Sequence, residues 1–157
     1  MTVRILIVYD TQGGTTREII QWIKEGAATT GASVDVKSPG AVTSLNYDLI
    51  VVGTPIYDDR PMRSIVHFLK SESLRNHKVA IFVVCFAGIF GMRNFMVRKY
   101  LDDLQDSCDG IVVKTTSFDS ALGPWRKINR AICIDFGKDL DSLHRTPPKP
   151  QRPPCDL

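Results

Sequence analysis

The run Ile5-Leu6-Ile7-Val8-Tyr9, then Asp10-Thr11-Gln12-Gly13-Gly14-Thr15-Thr16, then Arg17-Glu18-Ile19-Ile20, governs how the rest of the chain is read. The apolar, partly β-branched run predicts a buried strand. The hydroxyls and glycines after it predict a loop. Ile19, Ile20, Ile23 and Ala27 recur at helical spacing and predict an amphipathic helix from about Thr15 to Thr29. A loop that opens into a helix lies beside unpaired backbone N–H groups, which attract phosphate or another anion. Gly13 and Gly14 allow close backbone approach, and Thr11, Thr15 and Thr16 add hydroxyl donors. No Lys follows the glycines, so the pattern G-x-x-x-x-G-K-[ST] fails, and G-x-G-x-x-G fails too. A monophosphate cradle with mostly neutral donors remains.

Working outward, apolar runs and helical patterns alternate. Val34-Asp35-Val36 predicts a short second strand, and Pro39-Gly40 opens a loop with room for one helical turn. Asp48 to Gly53 reads as a third strand, Val79 to Val84 as a fourth and Ile111 to Thr116 as a fifth. Helices are predicted over Met62 to Ser71, with Ile65, Val66 and Leu69 inward, and over Asn94 to Gln105, carrying Phe95, Val97, Tyr100, Leu101 and Leu104. The last helix runs from Trp125 to Leu143, with Ile128, Ala131, Ile132 and Phe136 as its apolar stripe. Strands alternating with helices imply an α/β protein with a parallel sheet covered on both faces. The domain is expected over residues 1–144. Residues 145–157 hold five prolines between Pro147 and Pro154, so an extended or disordered tail is expected there.

Composition narrows the function. The 157 residues are 43% hydrophobic and 24% charged, with a net charge of +3, and no dense Lys/Arg run with interleaved aromatics points to nucleic acid. The four cysteines form no C-x-x-C pair and no metal-ligand spacing. The N-terminus carries no secretory leader, so reduced thiols in the cytoplasm are expected. No apolar stretch approaches the ~20 residues of a membrane span, a test that leaves peripheral membrane contact open.

In an open parallel sheet, ligands bind beyond the C-terminal ends of the strands where strand order reverses. Three segments emerge there: Asp10 to Thr16, Gly53 to Pro61, and Cys85 to Arg93. Tyr57 in the second, and Phe86 and Phe90 in the third, can stack on a flat conjugated ring. A phosphate at one end and a planar ring between aromatics at the other describe flavin mononucleotide, FMN.

The chain resembles the flavodoxin-like FMN proteins over roughly residues 3 to 144. Their phosphate loop, Ser/Thr-x-Thr-Gly-x-Thr, is met by Thr11, Gly14 and Thr16, with Gly13 in place of the middle Thr. The resemblance implies a three-layer α/β/α sandwich with a five-stranded parallel sheet in the order 2-1-3-4-5. It implies FMN contacts from Thr11, Gln12, Gly13, Gly14, Thr15 and Thr16; from Thr54, Pro55, Ile56, Tyr57 and Asp58; and from Phe86, Ala87, Gly88 and Phe90. Within the family, Thr15-Thr16-Arg17-Glu18-Ile19, Tyr47 to Gly53 and Phe68-Leu69-Lys70 resemble the menaquinone-dependent protoporphyrinogen oxidases, although the segment after strand four is shorter than in that branch.

The flavin would carry the chemistry, so no catalytic side chain is expected. An FMN-dependent oxidoreductase is expected; the alternative is a non-enzymatic electron carrier between redox proteins. The expected partner is a redox protein, a quinone or a small-molecule donor or acceptor. Arg60, Arg63 and Arg93 would form a positive rim that attracts an anionic one. Two rivals fail by residue: Gly53-Thr54 stands where a phospho-accepting receiver needs Asp, and Cys85 has Gly91 where a Cys-x5-Arg phosphatase loop needs Arg.

Overall fold

The computed structural model describes residues 2–11, 14–57, 60–85, 93–119 and 126–150. The first strand, β1 (Arg4–Tyr9), leads through the first loop into helix α1 (Gly14–Thr29). Strand β2 (Ser33–Lys37) and a single helical turn at Pro39–Ala41 follow. Strand β3 (Leu49–Tyr57) pairs with a two-residue strand, β4 (Arg60–Pro61), before helix α2 (Arg63–Leu69). Strand β5 (Lys78–Cys85), helix α3 (Arg93–Ser107), strand β6 (Ile111–Asp119) and helix α4 (Arg126–Leu143) complete the order.

The principal strands lie in the order β2-β1-β3-β5-β6, every neighbouring pair parallel, and β4 attaches antiparallel to β3. Counting only the five long strands, this is the expected order 2-1-3-4-5. Alternation along the strands sorts the core into two layers. Ile5, Ile7, Leu49, Val51, Phe82 and Phe118 face α1 and α4. Leu6, Val8, Ile50, Val52, Ile81 and Val83 face α2 and α3. Burying each such aliphatic side chain contributes roughly 1.5–3 kcal/mol, so the strands carry much of the core's favourable energy. Phe82, Phe118 and Phe136 meet edge to face, with ring centroids 5.3–6.4 Å apart.

Two sequence expectations are corrected. Strand three does not stop at Gly53: it runs to Tyr57, and Ile56 and Tyr57 pair with Pro61 and Arg60. The expected second loop is therefore a hairpin, and its two connecting residues, Asp58 and Asp59, lie outside the described residues. The buried stripe of α4 is also different. Ile128 and Ile132 are 54% and 51% exposed and Ala131 is exposed, whereas Asn129, Cys133, Phe136, Leu140 and Leu143 face inward. The reason is the closeness of α1 and α4. A Cβ on Gly26 would fall 2.0 Å from the Ile134 carbonyl oxygen, and one on Gly137 would fall 2.1 Å from that of Ile23. The two backbones touch through these glycines, and no large side chain fits at the crossing.

Residues 147–150 form neither helix nor strand, and Lys149 donates its N–H to the Val112 carbonyl on β6 at 2.7 Å. Residues 151–157 lie outside the described residues.

Candidate functional site

β1, β3 and β5 are mutually parallel, so the segments after Tyr9 and Cys85 and the hairpin at Tyr57 leave the sheet at one edge. Strand order reverses between β1 and β3, which makes this the crevice where such sheets bind ligands.

The start of α1 forms one wall. The first N–H groups of any helix lack intrahelical acceptors, and the helix dipole places partial positive charge among them. Gly14 opens this helix and is exposed; a Cβ built on it meets nothing within 4 Å. Thr16 is 2% exposed, and its hydroxyl has no hydrogen-bond partner among the described residues. Of Thr15 only the backbone is described.

Asp10 braces this wall. One carboxylate oxygen accepts the Thr11 N–H at 2.9 Å, and the other accepts the Ser64 hydroxyl at 2.6 Å. Ser64 lies in the first turn of α2, so the Asp10 carboxylate ties the start of the first loop to a helix 54 residues away. Sequence reasoning missed this pair. The only local sign was a carboxylate in a loop of hydroxyls.

The hairpin forms the second wall. The Thr54 hydroxyl donates to the Pro55 carbonyl at 2.9 Å and accepts the Met62 N–H at 2.9 Å, which clasps the hairpin at its base. Thr54 is fully buried and Pro55 is buried, so both lie beneath the wall's surface, and Ile56 is half-buried against the α2–α3 layer. Thr54 shapes the hairpin through these internal bonds. Replacing it with Val keeps the side-chain shape and deletes both bonds, so stability is expected to fall by about 1–2 kcal/mol in urea unfolding.

The structure thus brings Thr11, Gly14 and Thr16 to one side of the crevice and Thr54, Pro55 and Ile56 to the other. Of Tyr57 only the backbone is described. Gln12, Gly13, Asp58, Phe86, Ala87, Gly88 and Phe90 lie outside the described residues. Arg60 and Arg63 are exposed on the hairpin and at the start of α2, and Arg17 is exposed in the first turn of α1. These cations sit at the crevice edge of the sheet; Arg93 is described in backbone only.

Cys85 ends β5 at this edge and is buried. Burial pushes the Cys133 thiol up to about 12. Burial also pushes Cys108 up to about 11, with the Gly110 N–H pulling partly the other way. Both thiols stay protonated near neutral pH, where the thiolate is the reactive form. At pH 8, iodoacetamide should modify Cys108 and Cys133 only after unfolding, as peptide mass mapping before and after denaturant would show.

Comparisons with known proteins agree with this architecture. The family model described as "Flavodoxin domain" matches residues 6–117. A comparison with curated proteins finds no match. Among solved structures, a flavodoxin from Streptococcus pneumonia superposes with a TM-score of 0.66 at 17% identity, over 88% of this chain and 98% of that one. An NAD(P)H:quinone oxidoreductase from Methanothermobacter marburgensis gives 0.65 at 8% identity, over 89% and 100%. The flavodiiron protein of Giardia intestinalis gives 0.64 at 14% identity over 90% of this chain, which spans 36% of that protein's length. At such identities the likeness is one of fold. The family model covers the flavodoxin domain as a whole and does not single out the protoporphyrinogen-oxidase branch. It spans most of the chain, from β1 into β6, and the chain belongs to the flavodoxin-domain family, with FMN as its cofactor.

Proposed function

We propose that this protein is an FMN-dependent oxidoreductase that exchanges electrons with its partner at the C-terminal edge of the sheet. The observation that carries the reading is the convergence of two walls on that edge: the open helix start at Gly14 and the clasped hairpin at Thr54. An FMN phosphate fits the first wall. Gly14 leaves the space that a Cβ would fill, and the buried Thr16 hydroxyl has no described partner.

FMN supplies the hydride and electron chemistry when bound. The chain's own residues hold and orient it. The N–H groups at the start of α1, with Thr11, Thr15 and Thr16, would take the phosphate, assisted by the backbone of Gln12 and Gly13. Tyr57, Asp58 and the segment Phe86, Ala87, Gly88 and Phe90 would flank the ring. Asp10 and Thr54 act indirectly, by fixing the first loop and the hairpin.

Arg60 and Arg63, joined by Arg93, would favour a negatively charged partner. That description covers an acidic redox protein and a substrate bearing carboxylates, such as a porphyrinogen. Quinone is the first acceptor to try, because a quinone oxidoreductase shares the fold. Among the described residues no helix is long and apolar enough to cross a membrane. A cytoplasmic setting with peripheral contact suits a quinone or porphyrinogen. A second reading, that of an electron carrier, is favoured by the end-to-end likeness to a free-standing flavodoxin.

One experiment separates the two. The FMN-loaded protein is reduced without oxygen and mixed with menaquinone analogues, with protoporphyrinogen after reoxidation, and with acidic redox proteins. Saturable turnover with quinone or porphyrinogen supports the oxidoreductase. Transfer to redox proteins alone, with neither small molecule reacting, establishes the carrier instead.

A further inference from the structure

β6 is an edge strand: it pairs with β5 on one side, and no described strand lies on the other. A nine-residue edge presents a row of backbone donors and acceptors to any other strand that meets it. Here the first half of that edge is met by the chain's own tail, at Val112 and Thr115. After α4 the backbone turns back, with the Thr146 N–H donating to the Leu143 carbonyl. The Lys78 ammonium, at the start of β5, donates to the carbonyls of His144 at 2.6 Å and Thr146 at 3.1 Å. Lys149 then bonds β6 twice: its N–H to the Val112 carbonyl at 2.7 Å and its ammonium to the Thr115 hydroxyl at 2.5 Å.

Three details give these contacts a common sense. Pro148 and Pro150 flank Lys149 and have no N–H, so the segment takes up an acceptor of β6 while offering no donor at either neighbouring position. The contact also falls on a β-bulge, where Val112 pairs with Val79 and Lys114 with Ala80, leaving Val113 as the extra residue. A bulge interrupts regular pairing, and edges are commonly blunted in this way. Finally, a cavity of about 550 Å³ lies beside the tail, bordered by Pro148, Lys149, Cys108 and Arg75. The tail is therefore not sealed down by close packing on that side, and two lysines supply its anchoring hydrogen bonds.

We propose that residues 144–150 form a strap that closes the outer edge of β6 and keeps a second copy of this chain from adding its own edge strand there. The strap is separate from the flavin site: it contacts the first half of β6, and the crevice lies beyond the opposite ends of the strands.

The test uses the full chain with Lys78→Met and Lys149→Pro combined. Together they remove the ammonium bonds to the tail and both Lys149 bonds while leaving the core residues unchanged. Amide hydrogen exchange over Ile111–Thr115 should accelerate about tenfold or more, with exchange in β1 and α1 unchanged. Sedimentation should show association that grows with concentration in the variant and is absent in the parent chain. Unchanged exchange would overturn the strap, and faster exchange without association would overturn its guarding role. Should the double variant fail to fold, Lys149→Pro alone carries the same two readouts with smaller changes.

Discussion

Gly14→Asp should strip FMN from the protein and leave the fold intact. The substitution sets a carboxylate at the first residue of α1, where the phosphate would meet the helix. Two like charges about 5 Å apart repel by about 3 kcal/mol at an effective dielectric constant of 20, or roughly two orders of magnitude in Kd. Stability should move the other way. The new Cβ enters open space, an acidic side chain suits a helix N-terminus, and Asp has a better helix propensity than Gly. Gly14→Asn adds similar bulk without the charge and should lose far less affinity. FMN content after purification, Kd by titration and Tm together check the prediction. A Gly14→Asp protein that retains full flavin would remove the phosphate from the α1 start.

As at Gly26 on the other side of the crossing, a single methyl added at Gly137 (Gly137→Ala) should cost more stability than one added elsewhere on the helices. Its Cβ would stand 2.1 Å from the Ile23 carbonyl oxygen and 2.9 Å from the Ala27 nitrogen. Both are backbone atoms that cannot rotate aside, so α1 and α4 must separate. Overpacking of this kind costs about 1–3 kcal/mol and more where backbone must move. The better helix propensity of Ala offsets about 1 kcal/mol. A net loss of about 2 kcal/mol corresponds to a Tm lowered by roughly 4–8 °C for a chain of this size. Ala131→Gly, on the exposed side of the same helix, should change Tm only through helix propensity. Thermal unfolding of both variants makes the comparison, and an unchanged Tm for Gly137→Ala would contradict the close crossing.

The strands were the most legible part of the chain. β1 and β5 are continuous apolar runs because both faces of the sheet are covered, and these two strands and the edge strand β6 each begin within a residue of the sequence-read start. Helix faces were legible where a flat sheet lies beneath, as with Ile19, Ile20 and Ile23 on α1. They were not legible on α4. Ile128 and Ile132 have the right spacing for a core stripe, but the buried side is set by Gly26 and Gly137, whose role depends on a partner helix about a hundred residues away. The crevice was legible by position, since the loops after parallel strands must gather at one edge. Its bracing was not. Asp10 with Ser64, and Thr54 with Met62, are pairs made by the fold, and neither leaves a local pattern. The hairpin at Tyr57 was hidden for a related reason: Pro55 and Pro61 read as loop residues until their places at the end of β3 and in β4 are known.

The most direct test of the account is a titration of the FMN-free protein with FMN and, separately, with riboflavin, followed by flavin fluorescence. The two ligands share the ring and differ in the phosphate that the α1 start would hold. FMN should saturate at one per chain, and riboflavin should bind roughly a hundredfold or more weakly. Equal affinity for the two, or no binding of FMN, would contradict the account.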